Sequence, residues 1–162
     1  MKKRTWILWA AAIVALIALD QGTKAFFSTN RAQFNEREIL PGFFYLTYLE
    51  NRGAAFSMLQ NFRWGFVALT IVAIVVMCRF FFLQKSFWAR LPLALLIAGA
   101  AGNLVDRALQ GFVVDFLHFY PFGYNFPVFN VADICVCVGA GLLAVWLLFL
   151  YREPEVKDAG KS

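Results

Sequence analysis

FRWGFVALTIVAIVVMCRFFFL, residues 62–83, is the stretch that decides the fold of this chain. Between Arg63 and Arg79 no charged residue interrupts it. A helix needs roughly 20 apolar residues to cross the roughly 30 Å hydrocarbon core of a bilayer. The stretch therefore predicts a transmembrane helix.

Three further apolar blocks of similar length flank this stretch, at residues 6–27, 91–109 and 128–151. The chain is 61% hydrophobic and 15% charged, with a mean hydropathy of +0.65, which is well beyond the usage of soluble domains. The first block begins like a secretory signal peptide, but no small-residue cleavage pattern follows it. The predicted fold class is an all-α membrane protein with four transmembrane helices in a single domain, residues 1–162, ending in a disordered tail at residues 152–162.

Positive charge is distributed unevenly between the two ends of these helices. The positive-inside rule assigns the more basic side, and with it both termini, to the cytoplasm. The connections at residues 28–61 and 110–127 then face the periplasm or the cell exterior, and we expect the protein in the cytoplasmic (inner) membrane. Nine of the fifteen Lys and Arg residues share the basic side: Lys2, Lys3, Arg4, Arg79, Lys85, Arg90, Arg152, Lys157 and Lys161.

The first outer connection contains a short segment with strand character. Residues 39–49 are rich in Phe, Tyr, Leu and Thr and include Pro41-Gly42 near their start. The segment is too short to cross the bilayer as a helix, and its composition favours a strand. We therefore expect a small extracytoplasmic β-rich segment between the first and second helices, close to the membrane surface.

Charged and amide side chains cluster at one end of the predicted helices. Ionisable groups within or beside a membrane span cost free energy, so this cluster is a candidate site. A structural interpretation is equally open for part of it, because Asp20 and Lys24 can form an ion pair on one helix face, and Asp106 and Arg107 can cap or anchor the third helix. Since successive helices alternate in direction, the outer leaflet receives Asp20, Lys24, Asn103, Asp106, Arg107, Asp115 and Asp133.

Two of these carboxylates, Asp115 and Asp133, lie in apolar surroundings with no cation close in sequence. Burial raises the pKa of a carboxyl group, and two carboxyl groups that meet can share one proton. One member then accepts a proton from water, and the other protonates the scissile carbonyl oxygen, which is the chemistry of aspartic peptidases. The residues alone are also compatible with two unrelated interfacial acids.

Other catalytic chemistries lack parts in this sequence. His118 is the only histidine, so a His-based zinc site or a Ser-His-Asp triad would depend on one loop residue that we expect at the membrane surface. Three cysteines lie in apolar blocks and are interpreted as structural: Cys78, Cys135 and Cys137. We therefore expect no metal and no other cofactor.

Five motifs occur in order along the chain: Asp20 with Lys24, NRGAAF at 51–56, GNLVDR at 102–107, VVDF at 113–116 and FNVAD at 129–133. In a four-span chain of this length they resemble the bacterial lipoprotein signal peptidases, also called signal peptidase II or prolipoprotein signal peptidases. The resemblance covers nearly the whole chain. It implies an intramembrane aspartyl endopeptidase that removes signal peptides from diacylglyceryl-modified prolipoproteins and cuts just before the lipidated cysteine.

The resemblance also implies roles for individual residues, with Asp115 and Asp133 as the catalytic pair. Structural support is implied for Asp20, Lys24 and Asp106. The expected partners are prolipoprotein substrates and membrane lipid, with no nucleic acid, and the chain is expected to act as a monomer. Residues implied to bind substrate or line the site are Asn51, Gly53, Asn103, Arg107 and Asn130.

Two other functions are compatible with acids in a membrane, namely a small proton-coupled transporter or channel and a non-catalytic four-helix scaffold. A transport path needs polar groups that continue into the cytoplasmic half, where residues 67–77 and 135–150 carry almost none. Presenilin-like and prepilin-type peptidases carry a Gly-X-Gly-Asp motif, which does not occur in this sequence. The sequence therefore favours a site on one side of the membrane.

Overall fold

The structure is a computed structural model that describes residues 3–53 and 62–151. Within these residues, four helices are long and apolar enough to cross a membrane, which confirms the prediction of four such helices. The tail at 152–162 lies outside the described residues. The helices are α1 (Lys3–Thr29), α2 (Arg63–Leu83), α3 (Phe87–Leu109) and α4 (Val131–Val145), which continues as a π-helical segment, Trp146–Leu150.

Helix α3 is the central element of the bundle and packs against α1, α2 and α4. Half of its most apolar stretch is buried, whereas the other three helices are mostly exposed on their outer faces. Gly102 allows the close approach of α1, because a Cβ atom there would lie 2.5 Å from Asp20 Oδ2. Small residues permit such contacts between membrane helices. The polar side chains of α1 and α4 therefore meet on α3.

Arg90, which directly precedes the third apolar block of the sequence, is buried in the first turn of α3. Its guanidinium donates hydrogen bonds to the carbonyls of Phe81 and Gln84 and lies 4.7 Å from the centre of the Trp6 ring. These carbonyls belong to the end of α2, where the last carbonyl groups have no hydrogen-bond partner within the helix.

The expected start of the third helix at residue 91 is too late, because the helix already begins at Phe87.

A three-stranded antiparallel sheet lies beside the bundle, in the order β1-β2-β3. It comprises β1 (Arg37–Leu40), β2 (Phe44–Asn51) and β3 (Val113–Phe119). The β-rich segment expected between the first and second helices is present as β1 and β2, whereas the third strand comes from the connection between α3 and α4, where none was expected. The β-branched and aromatic residues of VVDFLHF were the available signal for this strand.

Residues 39–49 form part of a hairpin and not one strand. Phe43 N donates to Leu40 O at 3.0 Å, and Gly42 has a φ of 65°. Proline at the second position of a turn and glycine with positive φ at the third are the residues of a type II turn. Pro41-Gly42 therefore ends β1 and precedes β2, which corrects the expected single strand.

An aromatic cluster packs the sheet against the end of α1. Phe27 of α1 stacks on Phe116 of β3 with a ring-centroid distance of 4.3 Å, and Phe34 lies 4.6 Å from Phe27. All three rings are buried. Because Phe116 follows Asp115 directly, this contact positions that carboxylate relative to the helices.

Candidate active site

Lys24 binds three oxygen atoms contributed by α1 and α3. Its Nζ lies 2.8 Å from Asp20 Oδ2, 3.0 Å from Asp106 Oδ2 and 2.9 Å from Asn103 Oδ1. The ammonium group and both carboxylates are almost completely buried. Asp106 therefore turns toward α1 and does not cap the end of its own helix, which corrects one of the structural interpretations of the sequence.

The remaining lone pairs of Asp20 and Asp106 are also satisfied. The backbone N–H of Ala132 donates to Asp20 at 2.9 Å, and that of Val114 donates to Asp106 at 3.2 Å. Gln21 Nε2 donates to both carboxylates, at 3.2 and 3.0 Å. Buried ion pairs persist when such hydrogen bonds complete them. The network thus connects α1 and α3 to α4 and β3.

The sequence analysis did not predict a role for Gln21. The available signal was an amide side chain directly beside Asp20 in an otherwise apolar helix.

Asp133 lies in the first turn of α4, within a reciprocal capping box. Asn130 Oδ1 accepts a hydrogen bond from Asp133 N at 2.9 Å, and Asp133 Oδ2 accepts one from Asn130 N at 3.1 Å. Asn103 Nδ2 donates to Asp133 Oδ1 at 2.8 Å. An acceptor at N3 paired with the N-cap is a known helix-start pattern. It explains why α4 begins at Val131 and not at the expected residue 128.

Asp115 lies on β3 and is 1% exposed. Its Oδ1 accepts a hydrogen bond from Asn130 Nδ2 at 2.7 Å, and its Oδ2 accepts one from Asn51 Nδ2 at 3.0 Å. Asn51 is opposite Val113 in the sheet, so its side chain shares a face with that of Asp115. Asn130 thereby contacts both aspartates, Asp115 through its amide and Asp133 through its backbone.

One cavity of about 300 Å³, here called the inner cavity, is lined by both Asp115 and Asp133. Burial, and after it the negative charge of Asp133, raises the pKa of Asp115 to about 7, while hydrogen bonds from Asn51 and Asn130 oppose the shift. Two carboxyl groups in one cavity, one with a pKa near neutrality, can perform acid–base chemistry at neutral pH. The structure therefore brings together the two acids that the sequence left unconnected.

The other expected site residues surround this cavity. Asn51, Asn103 and Arg107 line it together with the two aspartates. Gly53 contributes its carbonyl, which accepts a hydrogen bond from Arg107 Nη2 at 3.2 Å. Asn130 donates one hydrogen bond to each aspartate. Asp20, Lys24 and Asp106 lie in the supporting network described above. Among the described residues, no group of three His, Cys, Asp or Glu side chains is arranged to hold a metal ion.

His118 is buried in β3, with 5% of its surface exposed, and is not a residue of an open loop. Its Nε2 lies 2.8 Å from Asn125 Oδ1. Both side chains line a second cavity, which Asp115 also lines. Sequence reasoning missed Asn125 and Tyr124 at this cavity, because their placement depends on the pairing of β3.

The structure has four helices of membrane-spanning length and a cavity lined by two aspartates. These two features define the class of this chain as a membrane protein with a paired-carboxylate site. A family model described as signal peptidase (SPase) II matches residues 12–149. The lipoprotein signal peptidase of Symbiobacterium thermophilum is 48% identical over 144 residues, covering 88% of this chain and 94% of the relative. The lipoprotein signal peptidase of Geobacter sulfurreducens is 39% identical over 160 residues, which cover 96% of this chain and 98% of the relative.

The same relationship is found in three dimensions. A solved structure described as a bacterial membrane enzyme superposes with a TM-score of 0.81 at 34% identity, and the alignment covers 96% of each chain. This chain therefore belongs to the signal peptidase II family and is a multi-pass membrane protein. The family resemblance of the five sequence motifs is confirmed.

Proposed function

We propose that this protein is an aspartyl endopeptidase that removes signal peptides from prolipoproteins, cutting just before a diacylglyceryl-modified cysteine. The observation that carries the proposal is the inner cavity, which Asp115 and Asp133 both line and where each has both oxygens hydrogen-bonded by amide groups. The relatives named lipoprotein signal peptidases supply the class of substrate.

The two aspartates share one proton near neutral pH. The deprotonated carboxylate removes a proton from a water molecule, whose oxygen attacks the scissile carbonyl carbon, while the protonated carboxyl group donates to the carbonyl oxygen. The C–N bond then breaks as the cysteine nitrogen takes the proton that the first carboxylate removed from water. The other carboxylate takes back a hydroxyl proton, so the signal peptide leaves with a new carboxyl group and the pair again shares one proton. Asn51, Asn103 and Asn130 hold the carboxylates in fixed orientations, so little reorganisation accompanies the reaction.

The position of the site at one end of the bundle fits a lipid-anchored substrate. We place this end at the outer leaflet of the cytoplasmic membrane, with both termini in the cytoplasm, because the basic residues are concentrated at the other end. Two acyl chains hold the modified cysteine at a fixed depth, so the bond before it reaches the inner cavity with little search. We also propose that the enzyme acts as a monomer.

The test is cleavage of a diacylglyceryl-modified prolipoprotein, beside its unmodified precursor, by the purified protein and by Asp115→Asn and Asp133→Asn. We expect the wild type to cut only the lipidated substrate and both variants to lose activity. Glu38→Gln is the matched control, since it removes an exposed carboxylate of β1 that binds Gly42 N and Tyr45 Oη. Full activity in either asparagine variant would contradict the assignment of the catalytic pair.

A further inference from the structure

A second cavity, of about 440 Å³, adjoins the inner cavity at Asp115, which lines both. It is here called the outer cavity. Asn51, Asp115, Pro127 and Val128 line both cavities, whereas Asp133 lines only the inner one of the two. The volume falls in the roughly 300–1,000 Å³ range of pockets that enclose small ligands. The outer cavity is also lined by Leu49, His118, Tyr124 and Asn125.

The two sides of the aspartate pair differ in chemistry. On the Asp133 side, the lining continues into an apolar cavity of about 270 Å³ that includes Phe129, Ile134 and Val138. The outer cavity presents an imidazole, a phenol and an amide beside the apolar side chains of Leu49, Pro127 and Val128. A substrate that extends from the apolar cavity past the pair therefore enters more polar surroundings. A signal peptide is apolar, while the mature chain enters water, so this polarity assigns the outer cavity to the mature side.

The alternation of side chains in an extended segment decides which residue reaches the outer cavity. Successive side chains of an extended chain point to opposite faces. The lipidated cysteine turns its side chain toward the membrane, so the next residue turns its side chain away. Building on the proposed function, we propose that the outer cavity is the subsite for the residue that follows the lipidated cysteine, and that Asn125 favours polar side chains there.

The Asn125 amide is oriented by a buried partner. Its Oδ1 lies 2.8 Å from His118 Nε2, and its Nδ2 has no hydrogen-bond partner among the described residues. His118 packs against the ring of Tyr120 at 4.5 Å. Its Nδ1 is buried without a hydrogen bond and lies 3.6 Å from Glu36 Oε1. One half of the amide is thus fixed, and the other half is available to a substrate oxygen.

Glu36 supports this positioning role of His118. Its backbone has a φ of 55°, in the left-handed region that residues with a side chain seldom adopt. Unusual backbone conformations persist where the surrounding structure requires them, and they cluster at functional sites. The conformation keeps the Glu36 carboxylate near the imidazole, on the side opposite Asn125.

The test compares two lipidated prolipoproteins that differ only in carrying Ser or Ala after the modified cysteine. For the wild type we expect kcat/KM to be roughly 2- to 10-fold higher with Ser, the factor supplied by one ordinary hydrogen bond. In Asn125→Leu the ratio should fall to about one. Asn30→Leu is the matched control, because this amide binds Phe26 O and lies outside the outer cavity, so the wild-type ratio is retained.

A second variant tests the size of the subsite. Tyr124 is exposed, so Tyr124→Ala should be tolerated and should widen the outer cavity. We expect it to raise the cleavage of a substrate with Trp after the cysteine relative to one with Ala. Equal cleavage of Ser and Ala substrates by the wild type, or ratios that neither variant changes, would overturn the inference. Failure of the wild type to cleave any lipidated substrate would instead contradict the proposed function.

Discussion

At the scale of single residues, Asn130 has three roles in the site. Its Oδ1 caps α4, its backbone N–H binds Asp133, and its Nδ2 donates to Asp115. It is completely buried. One side chain thereby fixes the start of a helix and the relative placement of two acids that are far apart in sequence. Serine can replace the capping function, but its single hydroxyl oxygen would have to serve both the Asp133 N–H and Asp115, where asparagine uses two separate atoms.

The pKa of Asp115 predicts how cleavage depends on pH. Burial and the charge of Asp133 raise this pKa to about 7, so the shared proton is lost, and cleavage falls, as the pH rises through about 7. The Asn51 hydrogen bond lowers the pKa because it stabilises the charged form. In Asn51→Ala the falling limb of kcat/KM should therefore move to higher pH. Asn30→Ala should keep the wild-type profile, and a limb that moves to lower pH would contradict this account.

Removing the buried cation should be costly. Lys24→Met leaves Asp20 and Asp106 buried without their counter-charge, and breaking such a pair lowers the free energy of unfolding by about 3–5 kcal/mol. The control is Arg52→Met, which removes an exposed ion pair with Glu50 and should cost less than about 1 kcal/mol. Denaturant unfolding in detergent micelles measures both losses. Similar values for the two variants would count against the proposed support network.

At the level of elements, the spacing between α3 and α4 depends on glycine. A Cβ atom at Gly99 would overlap Ala132 O, one residue before Asp133, whereas a Cβ atom at Gly141 would meet nothing within 4 Å. Gly99→Ala should displace the first turn of α4, lower the free energy of unfolding by about 1–3 kcal/mol and reduce cleavage. Gly141→Ala should be neutral or stabilising by about 0.5–1 kcal/mol. Thermal unfolding and cleavage rates check both, and equal losses would refute the role of Gly99.

At the level of the whole molecule, the sheet must be held against the bundle for Asp115 to reach Asp133. Phe116 carries this contact through Phe27 and Phe34. Phe116→Ala should lower the free energy of unfolding by about 3–5 kcal/mol and impair cleavage. Phe122→Ala removes a fully exposed ring and should change stability by less than about 0.5 kcal/mol. The prediction fails if thermal unfolding does not separate the two variants.

The sequence by itself determined the four helices and the one-sided polar cluster. Apolar length predicts a span because the hydrocarbon core has a fixed thickness, and alternating helix directions bring Asp20, Asp106 and Asp133 to one end without any knowledge of packing. The five motifs also identified the family. Each of these inferences depends on local composition or on order along the chain.

Only the tertiary structure decided which polar groups touch. The hydrogen bond between Asn51 and Asp115 joins residues 64 positions apart, and that between Asn103 and Asp133 joins residues 30 positions apart. The pairing of β3 with β2 places Asp115 and His118 in the sheet, although the sequence suggested a loop. Strand register and side-chain hydrogen bonds between distant segments depend on the packing of the whole chain, and local patterns do not encode them.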